Sequence, residues 1–185
     1  MTARGHMLLS IPIAIAIDKV LHVNFFGNYN DMIFNMIFFT SVIVGSLLPD
    51  IDEPESYIGR RFPIFSYAFS IFGALTPTKF IEHRGFTHML FVPLIIIYFS
   101  YVNDDLMIKA LLYGLSIGIF AHDCGDMLTK GGIRGFFFPL FPRTRIGLLP
   151  VGLRFITDSI TEDIVKLLII VLIILYGLNY FHLIG

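Results

Sequence analysis

HRGFTH, residues 83–88, leads directly into a charge-free apolar run over residues 89–102. The turn carries two imidazoles and a guanidinium at the N-terminal end of a predicted membrane-length helix. Polar and ionisable side chains are costly there without a partner, and they mark functional sites. We therefore interpret this turn as one part of a metal site at a membrane surface. Polar turns elsewhere in the chain would supply the other parts of the site.

The composition is that of an integral membrane protein. Hydrophobic residues make up 56% and charged residues 15% of the 185 positions, and the mean hydropathy is +0.79. Both departures are large for a soluble domain. A single cysteine, Cys124, excludes an internal disulfide and a cysteine-rich zinc module. Since no internal repeat is present, we predict one all-α membrane domain over residues 1–185.

Five apolar segments predict a polytopic bundle of about five transmembrane helices, because each can cross most of ~30 Å of hydrocarbon. They cover residues 7–26, 32–48, 86–102, 106–121 and 164–184. Residues 62–78 are also charge-free, but they contain Pro63, Gly73 and Pro77, which favours an interfacial or re-entrant segment. The first segment also resembles a signal peptide. We expect it to be retained, because His6 then joins the other candidate ligands.

The basic residues predict the orientation. We count five spans and place residues 62–78 in the interface. On this count, the loops on one side of the membrane hold no Lys or Arg. The basic loop residues all lie on the other side, together with the polar turns. Lys and Arg concentrate on the cytoplasmic side of membrane proteins. We therefore predict a multi-pass membrane protein with the N terminus and the polar turns in the cytoplasm and the C terminus outside.

The polar turns contain residues of one chemical type. The candidate metal ligands are His6, Asp50, Asp52, His83, His88, His122 and Asp126. Pro49 interrupts a helix, so Asp50 and Asp52 can face one cation from an extended turn. His122 and Asp126 are four residues apart and share one face if the helix continues through Gly125. The alternatives are a solvated helix end for the first pair and a structural His–Asp pair for the second.

Imidazole and carboxylate ligands without a thiolate cluster suit zinc, manganese or iron, and a set of this size suits one or two divalent ions. A water activated there could attack an ester or phosphoester. Arg61 and Arg84 are candidates for holding an anionic group, since guanidinium binds phosphate bidentately; contact with lipid headgroups is their alternative role. We expect Asp123 to be peripheral, and His22 and His182 to lie on the opposite face.

These motifs resemble a known family. Gly5-His6, the run LPDID at 48–52 followed by Pro54 and Ser56, Gly59-x-Arg61, the turn at 83–88 and His122-x-x-x-Asp126-Met127-Leu128-Thr129 occur in the same order. This is the pattern of the YdjM-type family of bacterial inner-membrane proteins assigned as metal-dependent hydrolases. The resemblance covers about residues 4–165. It implies a helical membrane hydrolase, in some members linked to the LexA-regulated damage response.

The resemblance also matches Glu162 to a family acid just before the last span. A supporting catalytic role there competes with helix capping, because Ser159-Ile160-Thr161-Glu162 has capping-box spacing. The chain departs from the family pattern at Glu53, where a histidine is common, and at Lys130 and Arg134, which replace prolines. The aromatic, basic loop over residues 130–145 is expected to cover the site, line a lipid-facing entrance or anchor the protein in the interface.

Taken together, these features predict a membrane hydrolase acting on an ester or phosphoester, including a lipid-linked one, at the cytoplasmic face. A metal or ion transporter is one alternative, since Asp18-Lys19 could extend a path from the site. A scaffold whose basic face binds anionic lipid or a soluble partner is another. Membrane lipid and a phosphorylated or lipid-linked substrate are the expected partners, without direct nucleic-acid binding.

Overall fold

A computed structural model describes residues 1–21, 32–75, 86–141 and 144–180. The helices found there are α1 (Ala3–Leu21), α2 (Met32–Gly45), α3 (Pro63–Leu75), α4 (Phe91–Val102), α5 (Leu106–Met127) and α6 (Ile160–Tyr180). Short 3-10 helices occupy Leu48–Asp52, Phe86–His88 and Val151–Leu153. Two-residue strands β1 (Ile133–Arg134) and β2 (Arg145–Ile146) pair antiparallel. The all-α prediction is confirmed, with this small hairpin added.

Helix α5 is the centre of the bundle. Helices α1, α2 and α4 pack against it, and α6 packs on α1. Its N terminus is capped by the carboxylate of Asp105, which accepts hydrogen bonds from the amides of Met107 at 2.8 Å and Ile108 at 3.0 Å. The core beside it consists of Ala14, Phe34, Phe38, Val42, Ala110, Tyr113 and Ile117. Helix α5 therefore carries its C-terminal residues into a fixed position among its neighbours.

Two glycines allow α2 and α5 to touch through their backbones. A Cβ at Gly118 would overlap the carbonyl oxygen of Val42, and one at Gly45 would lie 2.5 Å from that of Leu115. Small residues permit this approach between helices in membranes, where dispersion contacts drive packing. The close contact places Ser46, directly after α2, against the last turns of α5.

The structure leaves the number of spans as a prediction. Over the described residues, only α5 is both long and apolar enough to cross a membrane, whereas α2 and α4 are apolar but shorter. The first two turns of α6 carry Glu162, Asp163 and Lys166. Helix α5 continues through Gly125 to Met127, so His122 and Asp126 lie on one face of the same helix, as predicted.

The segment predicted to lie in the interface forms a helix. Over residues 63–75 it is α3, which packs against the 3-10 helix Leu48–Asp52 and leaves apolar side chains such as Ile64 and Phe65 exposed. Residues 76–78 of the predicted segment lie outside the described residues, as do residues 22–26 of the first predicted span and 181–184 of the last. Within the described part, α3 is positioned as a helix on the edge of the bundle.

Candidate metal centre

Five predicted ligands converge at the C-terminal end of α5. They are His6 from the first turns of α1, Asp50 and His88 from two 3-10 helices, and His122 and Asp126 from α5. Their ligand atoms form two overlapping groups, His6 with Asp50 and His122, and His88 with His122 and Asp126, and within each group the atoms lie within 4.8 Å of one another. These buried histidines and aspartates could hold a metal ion.

The separations between ligand atoms suit a shared cation. Nε2 of His122 lies 3.2 Å from Nε2 of His88, 3.5 Å from Oδ1 of Asp50 and 3.8 Å from Oδ2 of Asp126. Nε2 of His88 lies 3.7 Å from Oδ2 of Asp126. Atoms bound to one zinc ion at ~2.1 Å in a tetrahedron are roughly 3.4 Å apart. The cluster is therefore already near the size that one ion requires.

The hydrogen bonds of two histidines determine which nitrogen can bind the ion. Nδ1 of His122 lies 2.7 Å from the carbonyl oxygen of Ser46, which can only accept, so this nitrogen carries a proton. Nδ1 of His88 lies 3.0 Å from Oγ1 of Thr87, whose own proton goes to Oδ2 of Asp52 at 2.8 Å. Nδ1 of His88 is therefore also the donor. In the neutral rings both Nε2 atoms present lone pairs toward the centre of the cluster.

His6 completes the cluster from the side of α1. Its ring stacks on that of His122 with centroids 3.7 Å apart, and Nε2 lies 3.4 Å from Oδ1 of Asp126. The side chain is buried, and neither ring nitrogen forms a hydrogen bond within the described residues. A Cβ at position 125 would lie 2.9 Å from Nδ1 of His6, so Gly125 leaves the space for this ring. Such a buried unsatisfied group costs roughly 1–3 kcal/mol, which a bound ion would offset.

The charge of the cluster also fits a divalent cation. Burial alone would raise the pKa of Asp50, but the interaction with His122, followed by the charges of His6 and His88, lowers that pKa well below its ordinary value. Two carboxylates among three imidazoles leave an excess of negative charge in a buried site. The ammonium group of Met1 lies 2.7 Å from Oδ1 of Asp126 and balances one of the two negative charges, so that one remains for a bound cation to neutralise.

Two predicted ligands are not among these five residues, one of them because the structure does not describe it. Asp52 reaches the cluster indirectly, through Thr87 and His88, and so orients a ligand. His83 lies outside the described residues, as do Arg84, His22 and His182. Asp123 was expected to be peripheral and does not join the cluster, but it is fully buried and its oxygens form no hydrogen bond within the described residues.

The remaining candidates lie apart from the ligand atoms. Arg61 is exposed and its guanidinium lies 4.7 Å from the ring centroid of Tyr57. Glu162 is fully buried and accepts hydrogen bonds from the amides of Thr2 at 2.9 Å and Asp158 at 2.8 Å. Burial opposes ionisation of Glu162, but the bonds from Thr2 and Asp158 outweigh it and lower the pKa to about 2. Glu162 thus fixes the segment that carries His6, in addition to beginning α6.

Sequence reasoning did not identify two groups that support the ligands. One is the hydroxyl of Thr87, which was quoted in the HRGFTH motif but given no role. Its position directly before His88 is a signal that could have been used. The other is the backbone carbonyl of Ser46. A backbone group leaves no pattern of side chains in the sequence that could indicate its role. Only the packing of α2 on α5 brings this carbonyl to His122.

Comparison with known proteins gives consistent results. The family model described as YdjM inner membrane protein matches residues 1–183. Inner membrane protein YdjM of Escherichia coli (strain K12) is 33% identical over 138 residues, which cover 72% of this chain and 63% of that protein; the Shigella flexneri protein of the same name gives the same values. The uncharacterized protein YvsG of Bacillus subtilis (strain 168) is 38% identical over 125 residues, or 66% of each chain. No solved structure matches significantly.

The chain spans about two thirds of the length of these curated relatives. The family model, by contrast, extends over nearly all of the chain, from the segment before His6 to the end of α6. The protein therefore belongs to the YdjM family of inner membrane proteins.

Proposed function

We propose that this protein is a membrane-embedded, metal-dependent hydrolase that acts on an ester or phosphoester at the cytoplasmic face of the inner membrane. The observation that carries the proposal is the pair of Nε2 atoms of His88 and His122, which face each other at 3.2 Å while both Nδ1 atoms donate elsewhere. Two lone pairs at this distance repel unless a cation or a proton lies between them. A metal ion is the occupant that also uses Asp50, Asp126 and His6.

The five residues of the cluster would hold one divalent ion, with zinc favoured by the imidazole-rich set and manganese or iron as alternatives. A second ion would need further ligands, for which His83 is the remaining candidate. A bound ion of this kind supplies Lewis-acid polarisation and activation of water. Ser46 and Thr87 keep Nε2 of His122 and His88 unprotonated for binding, and Asp52 anchors Thr87.

Access to the cluster is possible on one side. The side chain of Asp50 is 19% exposed, whereas those of His88 and His122 are fully buried. Water and substrate would therefore approach past Asp50 and the 3-10 helix that carries it. Arg61, which follows this 3-10 helix in the sequence, and Arg84, which precedes Phe86, would bind the anionic part of a phosphorylated or lipid-linked substrate.

The proposal includes the topology of about five spans, with the N terminus and the cluster in the cytoplasm. It is supported by membership of the inner-membrane family and by the confinement of loop Lys and Arg residues to one side. A hydrolase at this position would act on substrates presented at the inner leaflet.

Metal analysis of the purified protein tests the proposal. We expect one or two divalent ions per chain after equilibration with zinc, manganese or iron, and hydrolysis of a model phosphate or carboxylate ester that chelation removes. The variant His122→Ala should lose both properties, whereas the matched Cys124→Ala variant, altered two residues away, should keep them. Absence of stoichiometric metal in a folded wild-type protein would show that the proposal is wrong.

A transporter remains the second candidate because of one observation in α1. Asp18 is buried, with 4% of its surface exposed, and the neighbouring Lys19 lies 4.5 Å from the ring centroid of Tyr176 in α6. Ionisable residues within a bundle often mark ion pathways. Metal flux into liposomes that persists without hydrolytic activity and is lost in Asp18→Asn would favour transport over hydrolysis.

A further inference from the structure

The β1–β2 hairpin places two arginines side by side on its outer face. Its register pairs Arg134 with Arg145 and Ile133 with Ile146. Directly opposite residues project from the same face of an antiparallel pair. Ile133 is fully buried and packs with Met127 and Phe136, so the arginines project away from this core, and both are exposed.

This pairing of like charges is unfavourable as it stands. Opposite residues of an antiparallel pair have Cβ atoms about 5 Å apart, and like charges at such positions destabilise the pair. Neither guanidinium has a hydrogen-bond or ion-pair partner in the part of the chain that the structure describes. Lys130, shortly before β1, is a third exposed cation. The hairpin therefore presents concentrated positive charge without a described counter-charge.

The hairpin is not free to change its register and separate the arginines. The amide of Gly135 donates to the carbonyl of Thr144 at 3.0 Å, and the amide of Leu148 donates to that of Met127 at 3.0 Å. On the other side, the amide of Leu90 donates to the carbonyl of Phe136 at 3.0 Å. Gly132 has a φ of +58°, which favours glycine at the start of β1. These hydrogen bonds attach the hairpin to the C-terminal end of α5 and to the N-terminal end of α4, so the two arginines stay opposite each other.

The segments that continue from the two strands carry exposed apolar side chains. The most exposed are Leu140 at 77%, Val151 and Leu153 at 69%, and Phe141 and Leu148 at 56%. Arginine beside aromatic and aliphatic residues is typical of the membrane interface, where headgroup phosphates lie next to acyl chains. A soluble anion would neutralise the arginines but would leave these apolar surfaces in water.

We propose that the hairpin is a docking site for the headgroup phosphate of an anionic phospholipid, bound between Arg134 and Arg145. The guanidinium groups match a phosphate through paired hydrogen bonds, and the apolar residues that follow the strands enter the acyl boundary. Family membership places the protein in the membrane where such lipids are available. This inference concerns a surface outside the metal cluster and does not require hydrolysis.

Hydrogen exchange in nanodiscs tests the docking site. The full chain is placed in discs of phosphatidylcholine alone or mixed with phosphatidylglycerol, and exchange is followed at the amide of Gly135, which reports opening of the hairpin. Opening of the hairpin would break the attraction of two basic residues to the anionic surface, so we expect exchange to slow by about tenfold or more in the anionic discs.

Charge variants distinguish binding at the hairpin from a general attraction between the protein and an anionic membrane. Arg134→Gln/Arg145→Gln should lose the dependence on phosphatidylglycerol, and Arg134→Lys/Arg145→Lys should keep part of it. The control Arg4→Gln/Arg60→Gln removes the same charge from exposed residues outside the hairpin and should behave as the wild type. Equal exchange in both discs, protection that survives the double glutamine variant, or equal protection by inorganic phosphate in phosphatidylcholine discs would each overturn the proposal.

Discussion

Nε2 of His122 lies 3.2 Å from Nε2 of His88, although these rings come from α5 and from a 3-10 helix 34 residues earlier in the chain. Each ring donates its Nδ1 proton outward, to Ser46 or to Thr87. The two Nε2 atoms therefore meet in a common space bounded by Asp50 and Asp126. This relationship is what would allow the cluster to hold a metal ion.

The ligands are expected to act as a unit. Alanine at His88, His122 or Asp126 should each abolish metal binding and any metal-dependent activity, because the remaining groups no longer complete the coordination. A double variant of His88 and His122 should be no worse than either single variant. Isothermal titration with the metal, performed on folded protein in detergent, measures this. Independent and additive losses would contradict a shared ion.

Asp52 and Thr87 should have smaller effects than the ligands that they support. Asp52→Asn and Thr87→Val interrupt the link that keeps Nδ1 of His88 protonated and its ring oriented. Loss of such an outer partner typically weakens metal affinity by about 10–100-fold. Titration of the two variants and of their combination should give nearly equal losses. Complete loss of binding in Asp52→Asn alone would instead identify Asp52 as a direct ligand.

Gly118→Ala tests the packing that places Ser46. The new Cβ would overlap the carbonyl oxygen of Val42 and force α2 away from α5, at a cost of about 1–3 kcal/mol. Metal affinity should fall as well, because the carbonyl of Ser46 moves from His122. Gly177→Ala, where a Cβ meets nothing within 4 Å, is the matched control and should leave both properties unchanged or slightly improve stability. Equal melting temperatures for both variants would contradict the close contact.

The stability of the protein should depend on pH through Glu162, which precedes the predicted span 164–184. Its pKa is lowered from 4.5 to about 2, so its contribution to folding is present above pH 4.5 and is lost as the pH falls toward 2. We expect Glu162→Gln to lower the melting temperature at pH 7 and to have a clearly smaller effect at pH 2.5, which decreases further as the pH falls through 2. Thermal unfolding of both proteins across this range provides the measurement. A constant difference at all pH values would exclude ionisation of Glu162 as the cause.

Cysteine labelling tests the orientation of the bundle. The 3-10 helix Leu48–Asp52 meets the end of α5, so Glu53→Cys in a Cys124→Ser background and the native Cys124 should label from the same side of the membrane. Asn103→Cys, next to the opposite end of α5, should label from the other side. The reagents are membrane-impermeant maleimides applied to intact and opened cells. Opposite accessibility of positions 53 and 124 would contradict the cytoplasmic cluster.

Local sequence determined the membrane class and most helices. Apolar runs and polar turns indicate α2, α4 and α5 because hydropathy and turn chemistry act over a few residues. The same locality made His122 and Asp126 a recognisable pair, since a helix places residues four apart on one face. The turn at 48–52 likewise indicated two carboxylates, but it left both as equal candidates for the metal.

Tertiary structure separated those candidates. Asp50 meets His122 whereas Asp52 meets Thr87, because the 3-10 geometry of residues 48–52 points carboxylates two residues apart in different directions. Asp123 is buried despite its peripheral assignment, because α1, α2 and α4 together enclose α5. Glu162 reaches Thr2 only because α6 packs on α1. Such contacts join residues 34 to 160 positions apart, and they depend on how the helices pack, which no local pattern of residues encodes.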